Sequence, residues 1–176
     1  MADGAFAASL ARMRVPLGFF TAAAVLYLAR PTVASLAVGG AIALVGETLR
    51  IWAAGHLDKG REVTQSGPYR FTRHPLYVGS AIVAAGAAVA SARPMVAVLV
   101  AIYMSVTIAA AVRHEEHNMR ARFGERYDAY AQSRSARVDR AFSFRRALSI
   151  NQEYKAVGGL VVLVMILALK VMLARD

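Results

Sequence analysis

The stretch Ser66 to Gly79, SGPYRFTRHPLYVG, sets an Arg-His pair, two tyrosines, two prolines and two glycines at the mouth of an apolar run, and the carboxylates Glu115 and Glu116 follow the next apolar run. Charged, aromatic and turn-forming residues beside long apolar runs point to a small-molecule site at a membrane edge. Pro75 suits the first turn of a helix, because it lacks the N–H that would be unpaired there and its φ is already helical. A helix starting at Pro75 turns its free N–H groups toward Arg73 and His74, a combination that would hold the carboxylate of an amino-acid-like cofactor. The same Arg-His pair can instead snorkel to lipid headgroups, and the residues alone leave both readings open.

Glu115 and Glu116 are flanked by His114 and His117. Carboxylates at a membrane edge need partners, so these are candidates to accept from a ligand ammonium or ribose, to act as a general base, or to pair with Arg73, Arg113 or Arg120. His114 and His117 share a helix face, but the order HEEH is not the HExxH spacing of zinc peptidases, and no metal site is expected. Glu47 and Arg50 stand three apart inside an apolar run, where an ion pair is a functional candidate or a salt bridge that pins helices. Trp52 and His56 fall near the same interface, as in an aromatic belt. No GxxxxGK[ST] or GxSxG motif occurs, and Gly39 and Gly40 lie inside an apolar run rather than after a strand, which excludes a Rossmann-type cofactor site.

The elements that must position these residues are helices in a bilayer. Of the 176 residues, 57% are hydrophobic, and they fall in long uncharged runs, which excludes an ordinary soluble domain or a disordered tail. Five runs are marked: 15–29, 32–54, 76–90, 94–112 and 156–173. The expectation is one all-α domain over 1–176, a polytopic membrane bundle of about five transmembrane helices. The third run covers only about 22 Å against a hydrocarbon layer of roughly 30 Å, so its helix should start or end inside the protein. It forms a short hairpin with the fourth, turning at Ala92, Arg93 and Pro94. Ser80, Ala84 and Ala88 lie on one face of the third helix and would allow close packing. From Glu116 onward Met119, Phe123, Tyr127 and Tyr130 form one stripe, which reads as an amphipathic helix at the cytoplasmic surface, interrupted by Gly124.

Charge sets the expected orientation. Sixteen Lys and Arg fall in the N-terminus, the loop 55–75 and the segment 113–155, against four (Arg30, Arg93, Lys170, Arg175) on the other side. The positive-inside tendency then puts the N-terminus and the site in the cytoplasm. Arg12 and Arg14 flank a first transmembrane helix rather than opening a signal peptide. The net charge of +10 is matched to anionic headgroups, and nucleic acid is excluded for want of any accompanying motif. With no cysteine there is no disulfide framework, thiolate nucleophile or Cys-ligated zinc.

Taken together, LRIWAAGHL (49–57), SGPYRFTRHPLYVG (66–79) and EEHNMRARFGERYDAY (115–130) resemble the membrane methyltransferases that include isoprenylcysteine carboxyl methyltransferase and the phospholipid N-methyltransferases. The likeness covers residues 46–130. It implies S-adenosylmethionine as methyl donor, held between the short hairpin and the segment after it, with a lipid-side tunnel for a lipophilic acceptor, either an isoprenylcysteine-like carboxylate or a phospholipid amine. By the same resemblance Tyr69, His74, Tyr77 and Gly79, together with Pro75 at the helix start, are cofactor-contacting positions, and Glu116 partners the cofactor's polar end. Arg73 and Glu115 belong to the methyl-transfer centre or its support, and Arg50 to the substrate side. The sequence departs from the carboxyl methyltransferases after Tyr130, where AQSRSARVDR has no proline turn and Arg134 and Arg137 are shifted. Membrane lipids are expected partners, and no obligate protein partner is evident. The alternatives are a nicotinamide-dependent membrane reductase related to sterol reductases and a non-enzymatic lipid-binding bundle.

Overall fold

A computed structural model describes residues 16–134 and 139–174. Arg12, Arg14, Arg137 and Arg175, which enter the charge and substrate readings, lie outside the described residues. The described residues form α1 (Pro16–Leu28), α2 (Val33–His56), α3 (Pro75–Ala90), α4 (Pro94–Phe123), α5 (Glu125–Ala131) and α6 (Tyr154–Leu173), with a 3₁₀ turn at Gly67–Arg70 and a π turn at Arg146–Ile150. No strand occurs among them. The architecture is the expected all-α membrane bundle. By length and composition three helices, α2, α4 and α6, can cross a membrane, and α1 and α3 are shorter apolar helices.

Local chemistry explains the boundaries. Thr32 caps α2 in a reciprocal box with Ser35, the Ser35 N–H donating to Thr32 Oγ1 at 3.1 Å and the Thr32 N–H to Ser35 Oγ at 2.9 Å. Proline occupies the first position of both α3 and α4. The α3–α4 turn closes through Ser91, whose hydroxyl donates to the Ala88 carbonyl at 2.6 Å. It is tied to the α1–α2 turn by the Arg30 N–H on the Ser91 carbonyl at 2.9 Å.

Close packing of α3 uses a second face besides the one read in the sequence. Gly39 and Gly46 of α2 meet Gly86 and Gly79 of α3, and a Cβ on Gly86 would fall 2.5 Å from the Gly39 carbonyl. Glycine is required there because the two backbones touch. Ala84 and Ala88, as expected, pack on neighbours, here Val25, Val96 and Val100 from α1 and α4, while Ser80 serves a polar contact described below. A second apolar cluster, Ala29, Ala90 and Leu167, brings α6 against the α1–α2 corner. Lys170 caps the end of α1, its ammonium donating to the Leu26 carbonyl at 2.6 Å.

The amphipathic helix is not separate from the fourth span. α4 runs unbroken for 30 residues to Phe123, about 45 Å, and outreaches a hydrocarbon layer of roughly 30 Å. Nothing between Val112 and Phe123 breaks a helix, and Glu116 and Arg120 pair along it at 3.6 Å. The chain turns only at Gly124, with φ 50° and ψ −127°, a conformation open to glycine. Glu115 and Glu116 therefore sit inside a rigid helix instead of closing it.

Candidate functional site

Two groups of charged residues meet where the end of α2, the start of α3, the projecting part of α4 and the chain before α6 converge. The first is built on α3 and α4. His74, the residue capping α3, places its Nε2 3.2 Å from Glu116 Oε1. Arg73 brings its guanidinium to 2.9 Å from the same oxygen. Arg120 approaches the other oxygen of Glu116 and also bonds Asp128 at 3.2 Å. Of the three cationic partners expected for the acidic pair, Arg73 and Arg120 are engaged and the pairs formed do not include Arg113. Glu115 is more exposed and lies 3.9 Å from His74 Nδ1.

That Nδ1 is buried and makes no hydrogen bond. A buried polar atom without a partner carries a cost that a bound polar group would relieve. If Glu116 accepts from Nε2–H, Nδ1 is left as an acceptor. His74 also lies against Tyr77, ring centroids 5.7 Å apart. The expected set of free N–H groups at the start of α3 is smaller than the sequence suggests, since the Tyr77 and Val78 N–H groups both close on the His74 carbonyl.

Tyrosines line the side of this cluster. Tyr130 donates its hydroxyl to the Tyr69 carbonyl at 2.9 Å, which fastens α5 to the 3₁₀ turn. Tyr127 is buried under the Arg120 guanidinium, 5.6 Å from its ring centroid. Burial, then the charges of Glu115 and Glu153 and the neighbouring Tyr130, hold the Tyr69 phenol well above its ordinary pKa. Burial likewise raises Tyr127, with Glu116 adding to it and Arg73 and Arg120 opposing, and pushes Tyr130 up to about 12. All three are neutral phenols at physiological pH.

The second group centres on Arg50. Its guanidinium lies 3.4 Å from Glu47 and 2.8 Å from Glu153, and it also donates to Ser80 Oγ. The Glu47–Arg50 pair is the one the spacing anticipates. Glu153 and Ser80 are not legible in the sequence: Glu153 is 103 residues from Arg50, and its position just before an apolar helix is its one signal. Gly79 permits this arrangement, because a Cβ there would stand 2.6 Å from Arg50 Cγ and 2.8 Å from the Gly46 carbonyl. Tyr69 connects the groups, since its phenol feels both Glu115 and Glu153.

Segment 139–153 holds the second group in place by capping α2. Asn151 donates to the Ala54 carbonyl at 2.8 Å and the Leu57 carbonyl at 3.0 Å, and Arg146 to the Gly55 carbonyl at 2.6 Å. These carbonyls are acceptors that a helix end leaves unpaired. Arg140 bridges Asp58 at 3.1 Å and Glu62 at 2.7 Å, and His56 Nδ1 bonds Ser66 at 3.0 Å. Among the described residues no group of three or more His, Cys, Asp or Glu is placed to hold a metal.

All nine residues singled out in the sequence, Arg50, Tyr69, Arg73, His74, Pro75, Tyr77, Gly79, Glu115 and Glu116, lie at this one end of the bundle, divided between the two groups. No solved structure matches the chain. A nickel-cobalt-cadmium resistance protein, NccN, of Alcaligenes xylosoxydans xylosoxydans is 31% identical over 110 residues, 61% of this chain and 50% of that protein. The chain thus spans about half the length of that curated relative. The family model described as phospholipid methyltransferase matches residues 32–126, from the cap of α2 into α5. With more than half of its length and both charged groups' helices α2, α3 and α4 inside that match, the chain belongs to the phospholipid methyltransferase family.

Proposed function

We propose that this protein transfers a methyl group from S-adenosylmethionine to a lipophilic acceptor at the polar end of its bundle. The observation that carries the reading is the meeting of His74 and Arg73 with Glu116, which joins the start of α3 to the projecting part of α4. Opposite charges sit side by side there, and a zwitterionic amino-acid moiety needs both. His74, Tyr69, Tyr77 and Glu116 are the residues to hold the cofactor, with the unpaired Nδ1 of His74 as a polar partner, and Gly79 leaves room beside Arg50.

When bound, S-adenosylmethionine supplies a methyl carbon on a sulfonium, open to in-line displacement by an acceptor lone pair. The protein's own task is to align that lone pair and keep water out. The observation favouring an amine over a carboxylate acceptor is the state of Arg50: two carboxylates and a hydroxyl already engage its guanidinium. Two carboxyl groups face one guanidinium there, an acidic balance that suits a cationic headgroup. An ammonium must lose a proton before it attacks, and in this reading Glu115, half exposed, takes it.

Titration calorimetry with S-adenosylmethionine in detergent tests the cofactor, and well-folded protein that binds NADPH instead, or neither, rejects it in favour of a reductase or a binding bundle. Transfer of a labelled methyl group to phosphatidylethanolamine rather than to a prenylcysteine acid is the expected outcome for the acceptor.

A further inference from the structure

Between α3 and α4 lies a groove of about 660 Å³ lined mainly by small side chains, among them Ala84, Ala85 and Ala88 from one helix and Ala97 and Ala101 from the other. With Arg93 and Ser105 the two polar residues among its lining, the groove is apolar. An unfilled furrow forfeits dispersion contacts along its whole wall, and in a bilayer a hydrocarbon chain is the filler of matching shape.

The groove's single charged lining residue is Arg93, at the α3–α4 turn. It is exposed and has no acidic partner among the described residues. Arg30, also exposed, is drawn to the same corner by its N–H on the Ser91 carbonyl. Pro75 and the site stand at the far end of α3, whose 16 residues span about 24 Å. A lipid with its headgroup at Arg93 therefore belongs to the leaflet opposite the site and is not the methyl acceptor.

We infer that this groove binds one acyl chain of an anionic phospholipid of that leaflet, its phosphate resting on Arg93 with Arg30 nearby. The charge argument selects the headgroup: two guanidiniums without counter-charge among the described residues favour an anionic lipid over a zwitterionic one. The inference stands on the groove and the charges alone, so it survives or fails independently of the methyl-transfer reading.

Native mass spectrometry of the whole protein, loaded with equimolar phosphatidylglycerol and phosphatidylcholine, is the test. One retained phosphatidylglycerol per chain is expected, favoured by roughly fivefold. Arg93→Gln should abolish the preference, while Arg61→Gln, at the site end, should leave it. Ala88→Phe should expel both lipids by filling the groove, with Ala101→Phe as the check from the opposite wall should the first variant misfold. Equal retention of the two lipids, or a preference that survives Arg93→Gln, overturns the inference. So does a protein dimer that Ala88→Phe or Ala101→Phe dissolves, which would show a second copy to be the occupant.

Discussion

His74 and Glu116, 42 residues apart in the chain, face each other at 3.2 Å, and Arg73 reaches the same carboxylate oxygen. Charge-assisted bonds of this kind contribute about 1.5–3 kcal/mol each. Glu116→Gln should weaken S-adenosylmethionine binding by about tenfold or more. In calorimetry His74→Gln and the double variant should show a coupling of about 0.5–3 kcal/mol. Strict additivity of the two substitutions would mean that they do not serve one ligand.

Glu153 holds the Arg50 guanidinium at 2.8 Å from outside the family-matched stretch. Glu153→Gln should cost about 1.5–3 kcal/mol in thermal or denaturant unfolding in micelles, and Glu153→Ala more, because it leaves a cavity as well. If Arg50 serves the acceptor, Glu153→Gln raises KM for the acceptor and leaves cofactor affinity unchanged.

Helix contact between α2 and α3 depends on particular glycines. Gly86→Ala should destabilise by about 1–3 kcal/mol, because backbone lies on the path of the new methyl group. Gly40 has nothing within 4 Å of its would-be Cβ, so Gly40→Ala should be neutral or stabilising by up to about 1 kcal/mol through helix propensity. Melting curves of the two variants separate packing from propensity.

Tyr130 titrates at about 12 in the folded protein against an ordinary 10.0. Above pH 10 the unfolded chain has released this proton and the folded one has not, so stability falls as pH rises from about 10 to about 12. Tyr130→Phe should flatten that part of an alkaline unfolding curve. At neutral pH it should cost about 0.5–1.5 kcal/mol for the lost bond to the Tyr69 carbonyl.

The absence of cysteine makes orientation directly measurable. A single cysteine at Lys59 should resist a membrane-impermeant maleimide added outside intact cells, whereas one at Met95 should react. The reverse pattern would turn the bundle over and place the site outside the cytoplasm.

The sequence by itself determined the bundle, the start of α3 at Pro75, the Glu47–Arg50 pair and the gathering of the polar motifs near one end, because these follow from local properties: apolar run length, proline geometry and helical spacing. It misjudged how far α4 runs, since the amphipathic pattern after Val112 suggests a new helix while the backbone meets no break before Gly124. It found the Ala84 and Ala88 face of α3 that packs on α1 and α4 but not the glycine face that meets α2, because small positions look alike until a neighbour selects among them. Which of the three candidate arginines pair with Glu116, its link to His74, the orphaned Nδ1 of His74, and above all the arrival of Glu153 at Arg50 were decided only by the tertiary structure. Long-range ion pairs leave no periodic mark in a chain, since their partners are set by how separate helices pack and not by any spacing along it.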